Sequence, residues 1–311
     1  MKKQQEIPSH LYNESIDTVK RVHGDQLLSL DSEFPFAMTR FETMNGLAQV
    51  DTPHRHNYYE VLYVLEGEGT HVIDFEPHSI QPHTFYFLST GQIHFWQLSK
   101  PLKGFALLFP DEFLGFPSSK ILRAHDFSFF HQVGLAPHLL IGKEQRPVFS
   151  GLLEGLELEF NNEVERSLTV LRSYVHILLT KLNRLYRAEH PEDHPAETSS
   201  LVRQFEQLVS EHFLEDHSVQ DYAKKMGISP SHLRDLVKAD TGTSPGTMIR
   251  QKLILEAKRL LAHSEGTVAE IGYQLNFEDS SYFGRFFKRE TGMSPTAFRQ
   301  QIREQYGIGS Q

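Results

Sequence analysis

The stretch Ile271-Gly-Tyr-Gln-Leu-Asn-Phe277-Glu-Asp-Ser-Ser-Tyr282-Phe283-Gly-Arg285-Phe-Phe287-Lys288-Arg-Glu-Thr-Gly292-Met-Ser-Pro295 decides the fold of the C-terminal third, because its end has occurred before. Fifty residues upstream stands Lys238-Ala-Asp-Thr-Gly242-Thr-Ser-Pro245, so that Lys, Thr, Gly, Ser and Pro all recur at one offset. Ala223-x-x-Met226-Gly-Ile228 likewise matches Gly272-x-x-Leu275-Asn-Phe277 with a one-residue shift. Glycine stops a helix in the left-handed region, and Ser before Pro restarts one. Each copy therefore reads as helix, tight turn, helix, stop and restart. A small residue at Ala223 or Gly272 lets the two helices cross closely, four residues before the turn, which is helix-turn-helix geometry. Residues 247–263 read as one long amphipathic helix between the copies. Ser218 with Asp221, and Thr267 with Glu270 at capping-box spacing, mark further helix starts.

Working outward, the 311 residues are 39% hydrophobic and 23% charged, a folded composition long enough for two domains. No apolar run reaches about 18 residues, so no membrane span is expected. The opening Met-Lys-Lys-Gln-Gln-Glu has no apolar stretch behind it and does not read as a secretory signal. The absence of cysteine excludes disulfide scaffolds, thiolate zinc sites and cysteine nucleophiles, and suits a cytoplasmic protein. The net charge of −9 is unevenly spread. Residues 1–199 carry 17 Lys and Arg against 26 Asp and Glu, whereas residues 200–311 carry 14 of each. A DNA-binding surface belongs in the neutral part, since like charge would repel phosphates from the other.

Residues 36–42, 58–65, 70–75, 84–88 and 104–109 are short runs rich in β-branched and aromatic residues. Turn signals separate them at Asn45-Gly46, Glu66-Gly67, Glu76-Pro77 and Thr90-Gly91, which predicts a small antiparallel barrel or sandwich. From about Val148 the period becomes helical, with Leu152, Leu153, Leu156 and Phe160. Leu168, Leu171, Val175, Leu178, Leu179, Leu182 and Leu185 then form a second stripe, either intradomain core or a dimer seam. The run HPEDHPAETS at 190–199 is polar with two prolines and reads as linker.

Two tandem helix-turn-helix units joined by one helix resemble the DNA-binding domain of the AraC/XylS family of bacterial transcription regulators. The resemblance covers about the last 110 residues, and the second unit carries the signature closely. One departure is Asn276, where the family usually has Gly; Asn tolerates positive φ, so the turn should survive. In the first unit the recognition helix begins after Ser229 with Leu233 and Val237 inward, leaving Ser231, His232, Arg234, Asp235 and Lys238 outside. The resemblance puts Ser231, Arg234 and Asp235 at base-reading positions; Arg suits guanine and Asp suits a cytosine amino group. In the second unit Tyr282, Phe283, Phe286 and Phe287 read as mostly structural. Ser280, Ser281, Gly284 and Arg285 face the groove, with Lys288 nearer phosphate. Ser and Gly read little sequence, so this unit is expected to bind partly through the DNA backbone.

His54-Arg-His56-Asn-Tyr-Tyr-Glu60, followed by Gly67 and preceded by Gly46, resembles the first cupin motif. The second motif is weaker: His94 follows Ser89-Thr-Gly91-Gln-Ile, with Ser89 in the place of proline and His83 in the place of glycine. One reading makes His54, His56, Glu60 and His94 a metal set of three nitrogens and one oxygen. The other makes them polar lining of an organic-ligand pocket. The second is preferred and no cofactor is expected. Arg40, His54, His56, Tyr58, Glu60, His94 and Trp96 are the effector-binding candidates, with Tyr63 and Phe85 as further pocket aromatics.

The expected fold is α+β in two domains. Residues 1–188 form a cupin-like antiparallel β-barrel with a helical dimerisation segment, 189–199 a linker, and 200–311 an all-α domain with two helix-turn-helix units. The expected function is a sequence-specific transcription regulator, read as an activator, whose N-terminal domain senses a small-molecule effector. The resemblance implies double-stranded DNA, the effector, a second copy of the chain and RNA polymerase as partners. A cupin enzyme, such as a metal-dependent dioxygenase, would explain the histidines and leave the repeat unexplained. A pure protein-interaction module would bind DNA no better than a scrambled control.

Overall fold

The computed structural model describes residues 9–10, 34–43, 53–115, 123–130, 136–190 and 199–306. The Asn45-Gly46 turn and residues 191–198 of the expected linker lie outside the described residues. The chain divides into two compact units, with the break between Tyr186 and Arg187.

The first unit is built on β1 (Ser9–His10), β2 (Ala37–Arg40), β3 (Arg55–His56), β4 (Tyr59–Ile73), β5 (Glu76–Ser79), β6 (Thr84–Leu88), β7 (His94–Phe109) and β8 (His138–Leu140). The main sheet runs β2-β7-β4-β6-β8, with β5 also paired to β4; every pairing in it is antiparallel. β1 pairs in parallel with β3. The two long strands β4 and β7 pair along both halves, from Tyr59 opposite Phe109 to Ile73 opposite His94.

Glu66-Gly67 is not the turn that the sequence suggests. β4 runs straight through it with three register shifts between Val64 and Gly69. Gly67 and Gly69 sit at φ 140° and 148°, where any side chain would be strained, and a Cβ on Gly69 would collide with the backbone of β7. Glycine here makes bulges that bend one long strand and does not separate two short ones.

Alternation along the strands sends side chains to two faces. Phe36, Met38, Val61, Tyr63, Phe85, Phe105 and Leu107 face α1 (Arg146–Asn161) and α2 (Leu168–Glu189). Ala37, Leu62, Val64, Ile73, Tyr86, Leu88, Trp96 and Leu108 face the other way, into an interior shared by both halves of the bent sheet. The leucine stripe of α2 belongs to the first of these cores. Leu171, Val175, Leu178, Leu179, Leu182 and Tyr186 are fully buried within their own chain. The stripe is therefore not the dimer seam favoured from sequence; the sheet is the surface that covers it. The two helices pack closely because Gly155 leaves room for the Tyr174 ring.

The second unit holds α3 (Ser200–His212), α4 (Val219–Met226), α5 (Pro230–Thr241), α6 (Pro245–His263), α7 (Val268–Gln274), α8 (Ser280–Thr291) and α9 (Pro295–Tyr306). The repeat is reproduced bond for bond. Thr241 Oγ1 donates to the Val237 carbonyl at 2.7 Å, and Thr291 Oγ1 to the Phe287 carbonyl at 2.8 Å. Gly242 and Gly292 cap their helices at φ 69° and 83°. Ser244 and Ser294 each accept from the backbone N–H three residues on, at 3.2 Å. In the inter-helix turns, Ile228 N–H donates to Ala223 O at 3.0 Å and Phe277 N–H to Gly272 O at 2.9 Å. Asn276 takes φ 59°, the left-handed value the turn requires and Asn tolerates. The Thr267–Glu270 capping box is present. Among the described residues no helix is long and apolar enough to cross a membrane.

Candidate functional site

The barrel interior gathers a cluster of histidines. β3 and the residue before it supply His54 and His56; the start of β4 supplies Glu60; β7 supplies His94 and Trp96. His54 and His94 exchange backbone hydrogen bonds at 3.1 and 2.9 Å, which fixes the two motifs side by side. All four polar residues are buried.

Local bonds set the direction of each ring. His56 Nδ1 lies 2.8 Å from the Tyr58 carbonyl, an atom that only accepts, so Nδ1 donates to it. The Tyr58 ring stacks on His56 at 4.2 Å. Burial, and then the nearby Glu60 carboxylate, push the Tyr58 hydroxyl well above its ordinary range. His56 Nε2 lies 3.2 Å from His94 Nε2 and 3.4 Å from Glu60 Oε2; His94 Nε2 lies 3.8 Å from the same oxygen. These three donor atoms form the one metal-competent group among the described residues. His54 stands beside them, its ring 4.1 Å from that of His94, and is not a corner of the group.

Sequence reading missed His71. It is fully buried, its Nε2 lies 3.1 Å from His94 Nδ1, and its ring stacks on Trp96 at 3.5 Å. Burial, and then the fields of His78, His54 and His138, hold His71 well below the ordinary histidine range, so it is neutral. Tyr86, edge-on to both His71 and Trp96, completes the wall; burial pushes its hydroxyl up to about 12.

Three sequence candidates fall elsewhere. Arg40 shares the helix-facing side of β2 with Met38 and grips Glu157 of α1 by two hydrogen bonds of 2.6 Å, its guanidinium 4.4 Å above Phe105. Tyr63 and Phe85 stack on each other at 4.2 Å in the core beneath the helices. The structure thus brings together His54, His56, Tyr58, Glu60, His94 and Trp96 and separates Arg40, Tyr63 and Phe85 from them.

In the second unit α5 and α8 are the second helices of the two helix-turn-helix pairs. Leu233 and Val237, like Phe283 and Phe287, are buried. Ser231, His232, Arg234, Asp235 and Lys238 are exposed on α5; Ser281, Arg285 and Lys288 are exposed on α8, with Ser280 half-buried. Phe286 is buried, whereas Tyr282 is half exposed. At the repeat offset Arg285 corresponds to Asp235, and Arg234 to Gly284, so the two units present different chemistry from equivalent helix faces. Neighbouring arginines are engaged: Arg250 and Arg289 with Glu290, Arg303 with Glu265, Arg299 with backbone carbonyls. Among the described residues Arg234 and Arg285 have no such partner.

Comparison with known proteins places both halves. Residues 45–154 match the AraC-like ligand binding domain, and residues 222–301 match a helix-turn-helix domain. The chain belongs to the AraC/XylS family. The HTH-type transcriptional activator RhaS of Escherichia coli is 26% identical over 258 residues, covering 82% of this chain and 90% of that protein. Among solved structures, the C-terminal domain of AraT, a response regulator from Geobacillus stearothermophilus, is 26% identical over 34% of this chain and 88% of its own, with a TM-score of 0.33. The DNA-binding domain of AdpA in complex with a target DNA is 25% identical over 36% of this chain and 100% of its own, also with a TM-score of 0.33. As an AraC/XylS member the protein is a DNA-binding transcription regulator with a cupin-like domain for a small-molecule effector, and this is not a family of enzymes.

Proposed function

We propose that this regulator is an activator that reads DNA with α5 and α8 and is switched by a small molecule held inside the barrel. Ser231, His232, Arg234, Asp235 and Lys238 of the first unit, and Ser280, Ser281, Arg285 and Lys288 of the second, make the DNA contacts. Arg234 and Arg285 reach base edges; Lys238 and Lys288 neutralise phosphates. The observation that carries this reading is the exposure of Arg234 and Arg285 on equivalent helices, without ion pairs, among arginines that have them. The effector meets His54, His56, Tyr58, Glu60, His94 and Trp96, with His71 and Tyr86 behind them. It shifts an equilibrium between states that hold DNA differently, which requires unequal affinity for those states.

Residues 1–188 act as sensor and dimerisation domain, and residues 200–311 as DNA-binding domain, with 189–199 between them. The protein works as a homodimer in the cytoplasm and contacts RNA polymerase. The outer face of the two-helix layer supports a dimer: Leu158 is 75% exposed, and Val170 and Ile177 lie uncovered on the side of α2 opposite the buried leucines. A fragment of residues 195–311 tests the division. It should bind operator DNA with affinity that falls steeply with salt. A folded fragment indifferent to DNA overturns the reading. The effector is sought by thermal stabilisation of the full chain with metabolites of the pathway encoded beside its gene.

A further inference from the structure

We propose, on the reading that α5 and α8 both contact bases, that Asn276 sets the spacing between these two helices, so that one chain accepts a single separation between the two groove segments it reads. The internal repeat shows that the turn itself does not need the Asn276 amide. Gly227 stands at the matching position of the first copy and takes φ 67°. It makes the same turn with no side chain, closed by the bond from Ile228 N–H to the Ala223 carbonyl. Asn276 takes φ 59° in the second copy. A side chain kept where the backbone favours glycine serves something outside the turn. Here its amide donates to the Glu215 carbonyl of the first copy at 3.1 Å.

Both ends of this tie are held. On one side α4 grips Asp216, the residue after Glu215: the Tyr222 hydroxyl donates to its carbonyl at 2.9 Å, and Lys225 pairs with its carboxylate at 3.1 Å. On the other side Phe277, the residue after Asn276, packs on Phe283 and Phe286 of α8. The His217 ring lies 5.3 Å from the Phe277 ring and joins the two sides again. The tie therefore links α4 to α8 without passing through α6, the helix that carries the chain from one copy to the other. A second link meets the C-terminal end of α8, where Glu290 lies 3.6 Å from Arg250 of α6. One fastening leaves a hinge, whereas two resist rotation. The DNA makes this matter. Each added base pair advances the groove by about 3.4 Å and turns it by roughly 35°. Hydrogen bonds to base edges hold only over about 0.5 Å of donor–acceptor distance. Helices held at one spacing cannot follow an inserted base pair; loosely joined helices can.

The full chain has no cysteine of its own, so spin labels can be placed at Lys224→Cys on α4 and Glu304→Cys on α9, both exposed. Their distance distribution, read by electron spin resonance without DNA, should be narrow with Asn276 and broaden in Asn276→Gly and Asn276→Asp. Gly and Asp both tolerate the turn, and neither can donate to Glu215. In parallel the unlabelled full chain selects its site from random duplexes, and one base pair is then inserted or removed between the two contacted segments. Wild type should lose roughly 5- to 150-fold on the altered duplexes, the worth of a bidentate base contact. In both variants this penalty should shrink about fivefold, the worth of one net hydrogen bond, with affinity for the original spacing nearly kept. A bond that merely stabilises the turn lowers the unfolding temperature and leaves the distance distribution and the spacing penalty at wild-type values; that result overturns the proposal. A wild type indifferent to the inserted base pair overturns it whatever the variants do. A selected site with only one contacted segment overturns it as well, and a distribution that still broadens then puts the fault in the two-helix reading of DNA and not in the tie. Should one variant fail to fold, the other decides.

Discussion

The side-chain amide of Asn276 donates a 3.1 Å hydrogen bond to the backbone carbonyl of Glu215, sixty-one residues earlier. The residue that forms the left-handed turn of the second unit therefore also ties that turn to the segment following α3. Asn276→Ala keeps a Cβ at φ 59° without the short polar side chain that lets Asn tolerate this region, and it removes the bond. The strain costs about 1 kcal/mol and the lost bond about another 1 kcal/mol. Asn276→Gly loses the bond and relieves the strain, so it should stay within about 1 kcal/mol of wild type. Chemical denaturation of the DNA-binding part separates the two. Equal stability of the Ala variant and wild type would show that the turn carries no such load.

Leu178 and Leu182 were candidates for an intermolecular seam, and their burial makes a different outcome expected. Both are at most 1% exposed within the chain. Replacing both by Glu removes two leucines, each worth about 2–5 kcal/mol, and forces two carboxylates against the sheet. That exceeds much of a domain's usual reserve of about 5–15 kcal/mol. The sensor domain should lose its cooperative thermal transition. A folded monomer, seen by light scattering with intact circular dichroism, would instead restore the seam. Val170→Glu with Ile177→Glu, on the exposed side, should leave the fold intact and lower the oligomeric state.

The second half of the molecule was readable because each of its signals is local. Gly242, Ser244, Pro245, Gly292, Ser294 and Pro295 act on their own backbone, so their identities alone mark the stops and restarts that the structure contains. The first half was readable as strands and as a histidine motif, but not in detail. The bulges at Gly67 and Gly69 reverse which residues face inward. Glu60, Leu62 and Val64 point into the barrel at even positions; beyond the bulges the inward set is odd, with Ile73 in the interior and His71 against Trp96. Without that reversal the inward turn of His71 cannot be counted from the motif. Arg40 was misplaced for a related reason. Its neighbours on the sequence give no sign that Met38 and Arg40 face helices more than a hundred residues away. The leucine stripe shows a limit of periodicity: spacing reveals that a face is buried, but not which surface covers it.

Glu206 makes the DNA-binding unit pH-sensitive. Burial raises its carboxyl to about 7, with Asp240 adding to the rise and Arg203 opposing it. Asp240 is itself committed to the Ser199 N–H at 2.7 Å. The unfolded chain releases this proton near the ordinary value of 4.5, and the folded chain only near 7. The contribution is therefore full below about pH 4.5, declines between 4.5 and 7, and is constant above that. Across that window wild type should lose about 2–3 kcal/mol relative to Glu206→Gln, which does not titrate. Denaturation of the 195–311 fragment at pH 5 and pH 7.5 measures the difference. Parallel behaviour of the two proteins would mean that Glu206 is solvated.

Arg285 and Lys288 should fail in different ways when truncated, because one is assigned to bases and the other to phosphate. Both are exposed on α8, three residues and thus less than one turn apart. Loss of a bidentate base contact costs about 1–3 kcal/mol on the matched site and little on random DNA. Arg285→Ala should therefore weaken operator binding by roughly 5- to 150-fold and leave non-specific binding nearly unchanged, so the specificity ratio falls. Lys288→Ala should weaken both by a similar factor and reduce the salt slope by about 1. Neither change removes a buried side chain, so thermal stability should hold in each. Binding isotherms on operator and scrambled duplexes, at three salt concentrations, separate the patterns. If Arg285→Ala lowers the salt slope and preserves the ratio, α8 grips the backbone alone, and the sequence-reading burden falls on Arg234 and Asp235 in α5.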